Sequence, residues 1–264
     1  MQPRQIALLL DSQGRSDEAL SLLRGVQEDD PLIAQVRDIQ VKILNDDKRF
    51  NESFAIASKA AAAPGASPGD FSRLGDVYSA MKRSGNAADA YGRAVAAEKA
   101  QGPNSELWTL LLLRASALED AGRWPEAKQS LEEALTIAPD QPLLLNFLGY
   151  AKLERRENMD AAEAMIRKAS ELAPDDASIT DSLGWAEYKR GKLDDAIATL
   201  QRAAEKDPEQ AEIHEHLGDA LYRSGRRFEA RYAWEAALIT AEDEIAKRVK
   251  AKLASGMTEA NAAP

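Results

Sequence analysis

The residues with the greatest capacity for chemistry are the two histidines, His214 and His216, which flank Glu215. Imidazoles and carboxylates placed together can hold a metal ion. In a helix, however, residues two apart point about 200° away from each other, so the two imidazoles cannot share one ion. We therefore expect no metal site here, and we expect His214 to pack at a helix interface.

The sequence contains few of the residues and motifs that other kinds of catalysis require. The chain has no cysteine, which excludes disulfides, thiolate catalysis and cysteine-rich zinc sites. It carries no nucleophile elbow, phosphate-binding loop or dinucleotide fingerprint. Its many carboxylates are expected at exposed positions and turns, where solvation keeps their acidity ordinary. The sequence thus predicts a protein that is not an enzyme, with no catalytic residue, metal or cofactor.

The charge and hydropathy of the chain limit its partners. It has 34 Lys and Arg against 44 Asp and Glu, a formal net charge of -10, whereas nucleic-acid binding depends on basic residues that release counterions. No apolar run reaches the roughly 18 residues that a membrane span needs. The opening residues 1–10 lack the features of a signal peptide. We expect no nucleic-acid partner and no transmembrane segment.

The elements that carry these residues are indicated by a recurring phrase. The last two copies lie 34 positions apart, and the phrase occurs at Leu74-Gly75, Leu148-Gly149, Leu183-Gly184 and Leu217-Gly218. Glycine in a helix lets a neighbouring helix approach closely. A turn glycine followed five positions later by alanine is a second marker, as at Gly191 and Ala196. Proline, which cannot continue a helix, punctuates the repeat ends at Pro139, Pro174 and Pro208.

These markers resemble those of the tetratricopeptide-repeat (TPR) family, most clearly over 177–210. The resemblance implies an all-α fold, a right-handed superhelical α-solenoid of about seven helical hairpins with a C-terminal capping helix. We expect irregular TPR-like hairpins over 1–67, an extended hairpin over 68–107 in which Gly85 and Ala90 fall three residues late, and a regular block over 108–241. The capping helix is expected over 242–255 and a disordered tail over 256–264. The loop at 64–69 is expected to divide the stack into two blocks.

The resemblance also implies where a partner binds, because first helices line the concave face in this family. Trp185 with three tyrosines is expected to form an exposed aromatic strip with an acidic border, suited to a peptide. The alternative is that these rings pack beneath side chains of the next repeat. The candidate partner-binding residues are Asn146, Tyr150, Asp181, Trp185, Tyr188, Glu215, Asp219 and Tyr222.

A second candidate surface is a basic edge formed by turns inside the hairpins. Its most basic part contains Arg223, Arg226 and Arg227, which could dock a partner. Cations also suit the C-termini of first helices, so helix-dipole complementarity explains the same pattern without a partner. Both explanations stand at this point.

The last three repeats resemble proteobacterial TPR proteins of the cell envelope, some of which are outer-membrane lipoproteins that dock processing proteases. This implies a non-catalytic adaptor in the periplasm or at the outer membrane that binds a protein or peptide. The alternative is a cytosolic peptide-binding co-chaperone or regulator that docks through its edge. The apolar residues Ile6, Leu8 and Leu9 leave open a homodimer through the N-terminal hairpin.

Overall fold

The structure, a computed structural model, describes residues 3–102 and 104–264, and in these residues every regular element is a helix. No helix among the described residues is both long enough and apolar enough to cross a membrane. The helices are α1 Pro3–Ser12, α2 Ser16–Arg24, α3 Ile33–Asp46, α4 Phe50–Ala61, α5 Pro68–Ala80, α6 Ser84–Gln101, α7 Leu107–Asp120, α8 Trp124–Ile137, α9 Pro142–Glu154, α10 Met159–Leu172, α11 Ala177–Lys189, α12 Leu193–Lys206, α13 Ala211–Arg223, α14 Arg227–Thr240 and α15 Asp243–Ser255.

The first fourteen helices pair as seven hairpins, from α1 with α2 to α13 with α14. The glycine of the Leu-Gly phrase allows the two helices of a hairpin to touch. A Cβ added at Gly218 would lie 2.3 Å from the indole of Trp234, and one at Gly184 would lie 2.7 Å from Leu200. Such distances are far inside van der Waals contact. The all-α fold of TPR hairpins predicted from the sequence is confirmed.

The turn inside each hairpin contains at least one residue with positive φ, and the turn between α9 and α10 contains two, Arg156 and Asn158. Glycine takes this position at Gly191 and Gly225, but Lys48 and Lys82 take it in two earlier hairpins. Lys82 shows that the 68–107 hairpin is not shifted, because Gly85 lies inside α6 rather than in the turn. The expected late turn is therefore wrong, and the hairpin is extended because α6 is long.

Two compact units make up the chain, one ending at Ala138 and the other beginning at Pro139. The expected division at the 64–69 loop is wrong because α4 packs on α5 across that loop. Arg73 of α5 adds to this packing. Its buried guanidinium donates to Asp38 at 2.8 Å and to the carbonyl oxygen of Ala34 at 3.2 Å, which ties α5 to α3.

Beyond the last hairpin, α15 packs on α13 and α14, in the position expected of a capping helix. The sequence predicts a disordered tail over 256–264, but the structure shows these residues held by hydrogen bonds and partly buried. The side chain of Asn261 accepts from the N–H of Thr258 at 2.6 Å and donates to the carbonyl oxygen of Gly256 at 3.0 Å. Asn261 and Ala263 are buried, so this short polar segment is held by tertiary contacts.

Candidate functional site on the first-helix face of the second unit

The candidate partner-binding residues lie on α9, α11 and α13, the first helices of three consecutive hairpins. We call the surface that these helices present the first-helix face. Trp185 is 0% exposed and Tyr188 is 8% exposed, and Tyr150 and Tyr222 are half-buried. The predicted exposed aromatic strip is therefore wrong, although its rings do lie together.

Trp185 is buried because rings cover it on both sides. Its indole stacks on Tyr188 at 4.5 Å between ring centroids and on His216 at 4.1 Å, with an interplanar angle of 11° in each pair. The ammonium group of Lys189 lies 5.0 Å from the indole centroid. This stack joins α11 to α13 and fixes the direction in which the indole N–H points.

His216, and not His214, is the histidine of the helix interface. It is fully buried, and its Nδ1 lies 2.9 Å from a carboxylate oxygen of Asp181. Burial lowers the pKa of His216, but the carboxylates around it, Asp181 above all, raise the pKa above its ordinary value. His214 is half-buried, and its Nε2 lies 2.9 Å from the carbonyl oxygen of Pro208.

The histidines do not gather with other ligands into a metal site. Across 3–102 and 104–264, no group of three or more histidine and carboxylate side chains is placed to hold an ion. His216 Nε2 is buried and has no hydrogen-bond partner among the described residues.

Two buried carboxylates on α13 are neutralised by α15. Lys252 Nζ lies 2.7 Å from an oxygen of Glu215 and 2.7 Å from one of Asp219, and Arg248 donates to Glu215 at 2.6 Å. Burial would raise the pKa of Glu215, but hydrogen bonds from Arg248 and Lys252 hold it below its ordinary value. The pKa of Asp219 is raised, because burial outweighs its contact with Lys252. The acidic border is therefore a buried ion cluster.

The tail of the chain lies on the first-helix face. The N–H of Ala263 donates to Asp219 at 2.8 Å, and the indole N–H of Trp185 donates to the carbonyl oxygen of Pro264 at 3.0 Å. The same indole N–H also donates to Glu154 at 3.1 Å. Two of the residues predicted to bind a partner, Trp185 and Asp219, thus bind main-chain groups of the tail.

The α9 part of the first-helix face retains polar groups that the tail does not bond. Asn146 Oδ1 is buried and accepts no hydrogen bond within the described residues. Burial raises the pKa of the Tyr150 phenol, and the carboxylates of Glu154, Glu212 and Asp181 add to the effect. Those three carboxylates make the surroundings of Tyr150 acidic.

The basic edge consists of arginines that interact within the protein. Arg223 lies over the ring of Tyr188 at 5.1 Å, and Arg227 lies over Tyr222 at 5.6 Å. Arg226 donates to Glu229 at 2.8 Å.

The same pairing of an arginine with a glutamate three residues later occurs in several other hairpins. Arg49 bonds Glu52 at 2.8 Å and Asp17 of the preceding hairpin at 2.6 Å, and Arg123 bonds Asp89 of its preceding hairpin at 3.0 Å. Ion pairs between hairpins therefore explain the basic pattern in addition to the helix-dipole argument.

Sequence reasoning missed the residues that fill the first-helix face from the C-terminal side. Arg248 and Lys252 are four apart on an amphipathic helix, a spacing that places both cations on one side. That spacing could have pointed to the acidic residues of α13. Ala263 and Pro264 carry no comparable signal, because they are bound through main-chain groups that every residue has.

Comparisons with known proteins agree with this geometry. Profiles described as tetratricopeptide repeat match residues 72–142 and 118–183, and one described as TPR repeat matches 184–225. With seven hairpins and the Leu-Gly contacts, these matches show that the chain belongs to the tetratricopeptide-repeat family.

A similar curated protein is a TPR repeat-containing protein of Pseudomonas aeruginosa, 36% identical over 86 residues. The alignment covers 33% of this chain and 15% of that protein, so the chain matches only a small part of the relative's length.

Solved structures support the fold. A TPR protein from Parabacteroides merdae superposes with a TM-score of 0.71 at 14% identity, covering 97% of this chain and 98% of that one. A chain of the APC/C hetero-tetramer Cut9-Hcn1 superposes with a TM-score of 0.67 at 17% identity, covering 94% of this chain and 47% of that one. MamA from Desulfovibrio magneticus superposes with a TM-score of 0.54 at 21% identity, covering 67% of this chain and 97% of that one. At these identities the likeness shows the fold alone.

Proposed function

We propose that this protein is a non-catalytic TPR scaffold that binds a protein or peptide partner through the first-helix face of its second unit. The observation that carries the proposal is the segment already seated there, in which Trp185 and Asp219 bind main-chain groups of Ala263 and Pro264. Recognition of main-chain groups is a recurring way for proteins to bind peptides. The TPR fold supports the coarser role of a protein-interaction scaffold.

Site-specific crosslinking tests this proposal. A photo-crosslinking amino acid is placed at Asn146 or Tyr150, where the face has polar groups that the tail does not bond. The full chain is expressed in its source cells, and crosslinked proteins are identified by mass spectrometry. The matched control position is Glu235, which is exposed on α14.

We expect one protein to crosslink at Asn146 and Tyr150 and not at Glu235. The proposal also requires that the Trp185→Phe variant, which keeps an aromatic side chain but loses the indole N–H, reduces that product. Equal crosslinking at all three positions, or none at Asn146 and Tyr150, would contradict binding at this face.

Docking through the basic edge is the competing candidate. Arg223, Arg226 and Arg227 are exposed, yet each interacts with a neighbouring side chain. Reversing the charge of Arg226 and Arg227 together should leave the crosslinked product of Asn146 unchanged. Loss of that product with the fold intact would move the interface to the edge.

The envelope role is a finer part of the proposal and rests on the resemblance of the last three repeats. In this role the partner would be a processing protease, and the location would be the periplasm or the outer membrane. Fractionation of the source cells tests the location. Recovery of the protein with cytosolic markers would favour instead a co-chaperone or regulator in the cytosol.

A further inference from the structure

The tail reaches the first-helix face because α15 is followed by Gly256, whose backbone conformation is one that favours glycine. Gly256 has φ 85°, and a Cβ added there would lie 2.5 Å from the hydroxyl oxygen of Tyr222. L-residues rarely adopt this φ. Asn261 then closes a turn by bonding the N–H of Thr258 and the carbonyl oxygen of Gly256. Local structure therefore directs the following residues onto the face.

The face recognises the tail by main-chain groups and small size. Asp219 accepts the N–H of Ala263, and Trp185 donates to the carbonyl oxygen of Pro264. The side chain of Ala263 is buried, so a larger residue would meet packed atoms there. Residues 260–264 read Ala-Asn-Ala-Ala-Pro and carry no charged side chain.

Two polar side-chain atoms on α9 and α13 make no hydrogen bond with the tail. Asn146 Oδ1 on α9 and His216 Nε2 on α13 are buried without a hydrogen-bond partner in the described part of the chain. Buried polar atoms are normally paired.

We infer, on the basis of the proposed function, that residues 257–264 are an internal ligand of the first-helix face. The partner that replaces them carries small, uncharged residues such as alanine and proline at the positions that residues 260–264 occupy on the face. A partner must displace the tail, so its apparent affinity is reduced by the fraction of molecules in which the face is open. The tail is tethered, and an effective concentration in the mM range lets it compete with a weak ligand.

The test uses a fluorescein-labelled synthetic peptide with the sequence of residues 257–264 and an amidated C-terminus. Its binding to the full-length wild type is compared with binding to Gly256→Val, in which the new side chain expels the tail at Tyr222. Gly102→Val is the matched control, since Gly102 also follows a helix with positive φ but has nothing near its Cβ. Amide hydrogen exchange over 257–264 verifies the release.

We expect Gly256→Val to bind the probe about tenfold more tightly than the wild type and the Gly102→Val control. Adding Trp185→Phe should weaken binding to the released chain by about tenfold, because one hydrogen bond is lost. A probe carrying the Ala263→Glu change should bind less well, because it brings a carboxylate next to Asp219.

Three outcomes would overturn the inference. Equal probe binding by wild type and Gly256→Val, lost with Trp185→Phe, would mean that the face binds peptides but the tail does not occupy it, and the proposed function would stand. Dimers of the wild type that form through exchanged tails would make a second copy the occupant. If no variant binds the probe, this class of peptide is not the ligand. The proposed function would then still be tested by crosslinking at Asn146.

If Gly256→Val does not fold, Ala263→Glu in the full chain serves instead. It leaves α15 unchanged and places a carboxylate beside Asp219, which repels the tail. The same increase in affinity for the unmodified probe is expected, and its absence would count against the inference.

Discussion

The indole N–H of Trp185 donates to the carbonyl oxygen of Pro264 across 79 positions of sequence, at 3.0 Å. This contact determines what the first-helix face presents. Trp185 is fully buried, and its indole N–H, the group that could bond a partner, is already bonded to the tail and to Glu154. Whether the first-helix face can bind a partner therefore depends on whether the tail occupies it.

Gly218→Ala should destabilise the second unit by about 1–3 kcal/mol, because the added methyl group overpacks the hairpin. A Cβ at Gly218 would lie 2.3 Å from the fully buried indole of Trp234. Gly92→Ala is the control, because the nearest atom to its Cβ is Arg114 Nε at 3.6 Å, an ordinary contact. In that helix alanine should be neutral or stabilising by about 0.5–1 kcal/mol. Thermal unfolding of both variants measures the difference, and equal losses would contradict the close-packing role of Gly218.

Lys252→Ala should destabilise the contact between α15 and α13 by about 3–5 kcal/mol, since it leaves a buried ion cluster without one of its cations. Lys252 is fully buried between Glu215 and Asp219. Lys250→Ala, two positions earlier and exposed, is the control and should change stability by less than about 0.5 kcal/mol. Hydrogen exchange of residues 243–255 reports the effect. Protection that is the same in both variants would show that the cluster does not hold α15.

The fold was predictable because helical repeats have a local periodicity and small residues at fixed positions in the sequence. The turn at Lys82 was missed because a lysine took the left-handed position that glycine takes at Gly191 and Gly225. Lysine can occupy that region at some cost, so composition alone misplaces the register by a few residues.

The candidate site was predictable only in part. The helical register predicted that Trp185, Tyr188, Glu215 and Asp219 lie on first helices, but it did not predict that they are buried. The burial of Glu215 and Asp219 involves Lys252 of α15 and Ala263, which meet the face through contacts between residues far apart in sequence, whereas Trp185 is buried between stacked rings. Small residues that bond through their main chain leave no pattern by which such a contact is foreseen.

Self-association through the N-terminal hairpin remains a prediction, and the exposure of α1 bears on it. Leu8 is 47% exposed and Leu9 is 50% exposed, so both offer apolar surface to a second copy. If that surface is an interface, sedimentation velocity should show dimers that increase with concentration, and Leu8→Glu with Leu9→Glu should abolish them. A monomer at every concentration would exclude this dimer.

The last prediction concerns the buried pair of His216 and Asp181. The pKa of His216 is raised, so the folded state favours the protonated imidazole. Its contribution to stability is fully present below the unfolded pKa, about 6.5, and is lost as pH rises through the raised folded value. The free energy of unfolding should therefore fall as the pH rises above about 6.5 and through the raised pKa of His216.

The groups that set this dependence can be separated by substitution. Burial lowers the pKa of His216, and Asp181 on α11 with Glu212 and Asp219 on α13 raises it. Asp181→Asn keeps the shape of the pair and removes its charge, so it should flatten the decline of stability with pH. The chain has only two histidines, and His214→Gln should leave the decline intact. Denaturant titrations across this pH range measure both variants, and a decline that follows His214 instead of Asp181 would refute the assignment. Because His216 stacks on Trp185 at 4.1 Å, the same titration should alter the hold of the face on its tail.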